Sequence, residues 1–210
     1  MDEVPSRSPV GTGSLVLHTL RCIGYVDTAR MAAAAGMPEA VVESDLIDLA
    51  ASGYVTYTRG DFGGWGLTDA GRVLDSAQIA AELEMAGAGA AIAQAYQRFL
   101  TLNPEMLDLC TAWQIRSAHG VMAPNDHTDP GYDARILDRI ANLDARVQPI
   151  CTQLSEALPR FQRYGLRLAD ALTRARAGEL EYVATSTSSY HTVWFQLHED
   201  LLVTLGIPRF

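Results

Sequence analysis

The residues with most chemistry to offer stand in two places. Towards the C-terminus, Ser188, Tyr190, His191, Trp194, His198 and Glu199 fall along a stretch of helical periodicity. Set against Trp113, Gln114 and Arg116 from an earlier helix, they would make an aromatic, polar-tipped pocket for a small molecule. Trp and Tyr at such spacing are more often core with a hydrogen-bonded tip. His191 and His198 lie two turns apart, ~10.5 Å along a helix axis, so one ion cannot readily take both. The second place is the segment 119–131. There His119, Asn125, Asp126, His127, Thr128 and Asp129, with Asp133 downstream, gather oxygen and imidazole donors. No recognised metal-ligand spacing is present, and Asn, Asp and Pro are also what turns require. Asp129 or Asp133 can cap the helix that follows. This segment is read as a loop without a metal.

Catalytic patterns are missing. His198-Glu199-Asp200 lacks the second histidine of a zincin, and there is no nucleophile elbow, no Ser/His/Asp order and no glycine-rich phosphate loop. All 16 basic residues are Arg, so no Walker lysine, Schiff-base lysine or pyridoxal anchor exists. Cys22, Cys110 and Cys151 are far apart in apolar company and read as buried reduced thiols. The expectation is a protein that is not an enzyme and needs no cofactor.

Several elements must position these groups. A chain of 210 residues with 48% apolar side chains suits one small and one medium domain. No apolar run reaches the ~18 residues of a membrane span, Met1 to Gly11 lacks the basic and apolar regions of a signal peptide, and Gly11-Thr12-Gly13-Ser14 reads as a flexible leader. A cytoplasmic protein is expected. From Ser14, an N-cap candidate, Leu15, Val16, Leu20 and Ile23 recur at helical spacing until Gly24. Asp27 can cap a second helix whose Ala29, Ala32 and Ala33 make a small-residue face. Pro38 opens a third, with Val42, Leu46 and Leu49 on one side. Two short β stretches, Tyr54 to Thr58 and Trp65 to Leu67, flank a glycine-rich turn, and Thr68 can cap the next helix.

Beyond Leu74 the pattern is helical throughout. Ala77 to Ala95 is read as helix despite Gly87 and Gly89. A new helix starts at Asn103-Pro104 and runs through Ile115, and Tyr132 to Leu158 follows, kinked or broken at Pro149. Phe161 to Ala177 and Leu180 to Leu205 complete the chain.

Three helices, a glycine-tipped hairpin and a further helix follow the order of a winged helix-turn-helix. The stretches Gly36-Met37-Pro38 through Leu49, Ser52-Gly53-Tyr54-Val55, and Trp65-Gly66-Leu67-Thr68-Asp69-Ala70-Gly71-Arg72 resemble bacterial winged-helix regulators of the multiple-antibiotic-resistance (MarR) type, over about a third of the chain. The resemblance implies a mainly α fold: a winged helix-turn-helix over 1–76 with a small β-hairpin wing, then an all-helical domain over 77–210. It further implies a homodimer acting as a transcription regulator on double-stranded DNA, with C-terminal helices that dimerise and can sense a small-molecule effector.

In such motifs the third helix enters the major groove. Its exposed set here would be Pro38, Glu39, Val41, Glu43, Ser44, Asp45 and Asp48, with no Arg, Asn or Gln among them. Of these, Pro38, Glu39, Val41 and Ser44 are the candidates to face bases, and Arg30, Arg59 and Arg72 the candidates to face phosphate. The charge opposes this use. Residues 1–76 hold ten acidic groups against five Arg, and the whole chain carries a net charge of -9. Phosphate repels carboxylates, and DNA affinity rests largely on cations. The competing reading keeps the fold and makes it a docking module for an enzyme or another protein.

Overall fold

A computed structural model describes residues 11–60, 63–118 and 121–208. Residues 1–10, Arg7 among them, Asp61 and His119 lie outside the described residues. Among the described residues the chain is mainly helical, and no helix is long and apolar enough to cross a membrane. It divides into two compact units. One runs through Gly87 and resumes at Glu199; the other is Ala88–His198.

In the first unit, α1 (Thr12–Ile23) has Gly11 and not Ser14 at its N-cap, so Thr12, Gly13 and Ser14 are helix where a flexible leader was expected, and it stops at Gly24, whose φ of 88° suits glycine. Val26 then bridges to Trp65 through paired backbone hydrogen bonds of 3.1 and 2.8 Å. The Asp27 carboxylate accepts from the Arg30 amide at 2.8 Å and caps α2 (Thr28–Ala35). Its buried side is Met31, Ala32, Ala34 and Ala35, while Ala29 and Ala33 face solvent. The expected alanine face is thus turned, because Met31 has the largest apolar side chain of the helix and takes the inward position. Helix α3 (Glu39–Ala51) has Pro38 at its N-cap and buries Val42 and Leu46 against α1 and α2, with Leu49 packed at the margin.

Strands β1 (Val55–Thr58) and β2 (Gly64–Leu67) pair antiparallel, with Val55 opposite Leu67 and Tyr57 opposite Trp65. The Trp65 indole donates to the Thr28 hydroxyl at 3.0 Å, which anchors the hairpin to α2. Thr68 starts α4 (Asp69–Met85): its hydroxyl accepts from the Gly71 amide and donates to the Gly53 carbonyl at 2.8 Å. A Cβ on Gly71 would sit 2.0 Å from the Tyr54 carbonyl oxygen, so this close approach of helix and strand requires glycine. α4 continues well past residue 76, where the domain boundary was expected, and ends before Gly87. The core of the unit is Val16, Leu17, Leu20, Met31, Val42, Leu46, Val55 and Trp65.

In the second unit, α5 (Gly89–Gln114) is one continuous helix. Pro104 lies inside it and does not open a new one. Proline removes one backbone N–H, and the buried series Phe99, Leu102, Met106 and Leu109 holds the two halves on a common face against α6. The expectation of an all-helical domain fails next. Strands β3 (Ile115–Ala118) and β4 (Val121–Pro124) form a second antiparallel hairpin where helix and then loop were expected. The returning strand supplies donors to the end of α5: the Asn125 amide bonds the Gln114 carbonyl at 2.8 Å, and the Asn125 side chain bonds that of Trp113 at 3.0 Å.

Helix α6 (Pro130–Ala157) carries Pro149 without breaking and buries Ile136, Ile140, Leu143, Val147, Ile150 and Leu154. A 3-10 turn at Pro159–Phe161 leads to α7 (Gln162–Arg176). The expected last helix is interrupted: a short α8 (Glu181–Ala184) and a Ser/Thr-rich turn precede α9 (Tyr190–Leu205). At the end of that turn the Ser189 hydroxyl accepts from the Thr192 amide and its carbonyl from the Val193 amide, so Ser189 caps the start of α9.

Candidate functional site

The outer face of α3 is the first candidate. With Val42 and Leu46 turned inward, Pro38, Glu39, Val41, Glu43, Ser44, Ile47 and Asp48 are exposed, and Asp45 is half-buried. Ile47, at 55% exposure, was absent from the expected set; it sits one position after Leu46 and so points away from the seam. Arg59 is exposed where the hairpin turns, and Arg72 is exposed in the first turn of α4. Arg30 is exposed as well, but its Nε lies 3.2 Å from the Asp27 carboxylate, so a neighbouring charge already answers its own. Tyr25 and Tyr57 are each about half exposed, at 51% and 50%, and the Tyr25 hydroxyl reaches the Thr58 carbonyl at 3.5 Å.

The expected pocket residues fall into two groups with different partners. Trp113 is buried and faces the His127 ring, centroids 4.6 Å apart. Gln114 is exposed, and Arg116 bonds Asp126 at 2.6 Å and Thr128 at 3.2 Å. The segment 125–133 is therefore a clip. Asn125 donates to Asp133 at 2.9 Å, His127 Nδ1 lies 3.0 Å from the other Asp133 oxygen, and Asp129 caps α6 by accepting from the Tyr132 amide. Hydrogen bonds from the Thr128 hydroxyl and amide, with Arg116 beside them, hold the Asp126 carboxyl below its ordinary value.

The other group is core. Tyr190 is buried and donates to Asp144 at 3.1 Å; burial, with that carboxylate next, pushes its phenol well above the ordinary value. Trp194 is buried against Phe99, 4.6 Å between centroids, and its indole donates to Asn103 at 3.0 Å. His198 lies against the Phe99 and Tyr96 rings at 5.5 and 6.1 Å, and His191 is half-buried. A surface groove exists elsewhere in this unit, between α5 and α6, lined by Gln97, Arg98, Thr101, Leu102, Arg146 and Pro149.

A fully buried polar centre was not foreseen from the sequence. His18, fully buried on α1, has Nδ1 3.0 Å from Asp75 Oδ1 of α4 and Nε2 3.0 Å from Asp200 Oδ1 of α9. All three belong to the first unit. Cys22, one turn along α1, has its sulfur 3.7 Å from the same Nε2, and Thr204 donates to Asp200 Oδ1 at 3.1 Å. A neutral imidazole has one N–H, yet both ring nitrogens face carboxylate oxygens. Satisfying both bonds takes one further proton, on the ring or on a carboxyl, which leaves the His and two Asp at a net charge of -1. Asp75 Oδ2 is buried with no hydrogen-bond partner among the described residues. The only advance signal was a histidine and a cysteine four residues apart on an apolar helix; the two carboxylates lie 57 and 182 residues away.

No family model matches this chain, and neither the curated proteins nor the solved structures contain a match.

Proposed function

We propose that the first unit is a winged helix used to dock a partner protein, with the outer face of α3 and the adjoining hairpin as the contact. The observation that carries this reading is the composition of that face. Glu39, Glu43 and Asp48 are exposed around Val41 and Ile47, and the helix bears no cation. Counterion release by cations supplies most of the affinity for DNA, so this face works against phosphate. An apolar centre with a charged rim and nearby tyrosines is what a protein contact uses. Charge complementarity selects the partner's chemistry: a segment bearing Arg or Lys around an apolar side chain.

The test places a photoreactive amino acid at position 47 of the full chain in cells and recovers both protein and DNA. A cross-linked protein whose yield collapses in the Glu43→Arg/Asp48→Arg variant is the expected result. A DNA fragment enriched reproducibly in its place, and lost with Arg59→Ala, overturns it.

A second reading is a MarR-like transcriptional regulator bound as a homodimer to double-stranded DNA. The element order and the exposed Arg59 and Arg72 favour it. With those two and Arg30 on phosphate, affinity would fall about 40-fold between 50 and 200 mM salt. A small-molecule effector belongs to this reading only.

A further inference from the structure

We propose that His18, Cys22 and Asp200 form a buried site for one divalent ion of the zinc class, with Asp75 orienting the histidine. The three donor atoms, Nε2, Sγ and a carboxylate oxygen, lie within 4.8 Å of one another and all three residues are buried. A tetrahedral zinc site with ordinary Zn–N, Zn–O and Zn–S bonds has ligand-to-ligand edges of about 3.3 to 3.6 Å. The distances here are 3.0 Å for nitrogen to oxygen and 3.7 Å for nitrogen to sulfur. Two of the three edges are thus within about 0.3 Å of those values, and the third, sulfur to oxygen, is no longer than 4.8 Å.

Two further features fit. A metal-bound histidine almost always gives its other N–H to a carboxylate, a backbone carbonyl or water, and Nδ1 faces Asp75 at 3.0 Å. The charge also balances. Without metal, the site holds two Asp, one His, a thiol and the extra proton, net -1. On binding, the Cys22 thiol proton and that extra proton leave, and the ion's two positive charges replace them, net -1 again. Imidazole with thiolate and carboxylate selects a borderline-soft cation over Mg²⁺ or Ca²⁺. The ion would fasten the returning chain end, residues 199–208, to α1 within the first unit.

The test uses the untagged full chain, stripped with chelator and titrated with Co²⁺ and then Zn²⁺. The expected result is one Co²⁺ per chain with a sulfur-to-cobalt charge-transfer band, displacement of that band by Zn²⁺, and release of two protons per ion in weakly buffered indicator solution. Cys22→Ser should abolish the band. Asp75→Asn should keep it and weaken affinity about 10–100-fold. Folding of each variant is checked by circular dichroism, and the wild-type stoichiometry and proton count stand even where a variant fails to fold. A folded wild-type chain that takes up no Co²⁺, or a band that survives Cys22→Ser because Cys110 or Cys151 supplies the sulfur, overturns the proposal. Binding without proton release does so too.

Discussion

Two histidines in this chain make the same kind of contact in opposite ways. His127, partly exposed, meets Asp133 at 3.0 Å, six residues on, with Asn125 and Trp113 completing a clip around the end of α5. His18, fully buried, meets two carboxylates that come from the second turn of α4 and from α9. The first network is local, half-solvated and closes a single turn of chain. The second exists only once three distant segments are assembled, and there every charge has been taken out of water. A paired charge near solvent contributes little, whereas breaking a desolvated pair leaves an uncompensated buried charge. The same residue types therefore differ severalfold in what their removal costs.

That contrast can be broken most directly at His18. Replacing it, His18→Ala, takes the shared imidazole from between the buried Asp75 and Asp200 and should cost ~3–5 kcal/mol in urea unfolding. A loss under about 1 kcal/mol would mean the carboxylates are solvated, and the contrast would vanish. At the clip, Asn125→Ala strips hydrogen bonds from buried Asp133 and from the Trp113 carbonyl. The expected loss is ~1–3 kcal/mol, with hydrogen-exchange protection falling in 113–133 while α1 is untouched.

Alkali sharpens the comparison, because several buried titratable groups of the second unit are neutral acids. Burial pushes the Cys110 thiol up to about 11 and the Cys151 thiol up to about 12, and raises Tyr190 as well. Each thiol keeps its proton in the folded chain at a pH where the unfolded chain, near 9.0, has lost it. Stability is then fully present below about pH 9 and declines up to about pH 11 for Cys110 and about pH 12 for Cys151. Denaturation at pH 8 and pH 10 should differ by on the order of 1–2 kcal/mol. Equal midpoints would place both thiols near solvent. The smallest effect belongs to His127→Ala, at most ~1 kcal/mol. A larger loss would make the clip as dependent on its charge as the buried centre.

Legibility in the sequence followed the range of the interactions. The cap at Asp27, the stop at Gly24, the α3 seam of Val42 and Leu46, and the threonine that starts α4 were all readable, because each depends on residues within a turn or two. The β1–β2 hairpin was readable for the same reason. Pro104 misled: a proline signals a boundary by local rules, but a long buried face on α6 kept α5 whole. The β3–β4 hairpin was missed because its strands are four residues each and their apolar residues, Ile115, Val121 and Met122, face outward, so no core-directed alternation marks them. Of the expected pocket, Tyr190 and Trp194 turned out to be core with bonded tips, and only a partner's position, Asp144 or Asn103, could reveal it.

By itself, the sequence determined which helices would form at the start of the chain, which residues would cap and end them, and that the third would present carboxylates. These follow from periodicity and steric preference, which act over a few residues. Only the tertiary structure decided that the last turns of α9 belong with the first unit and that His18 stands between Asp75 and Asp200. A buried polar group must find its partner wherever the fold brings one, and spacing along the chain carries no record of that distance.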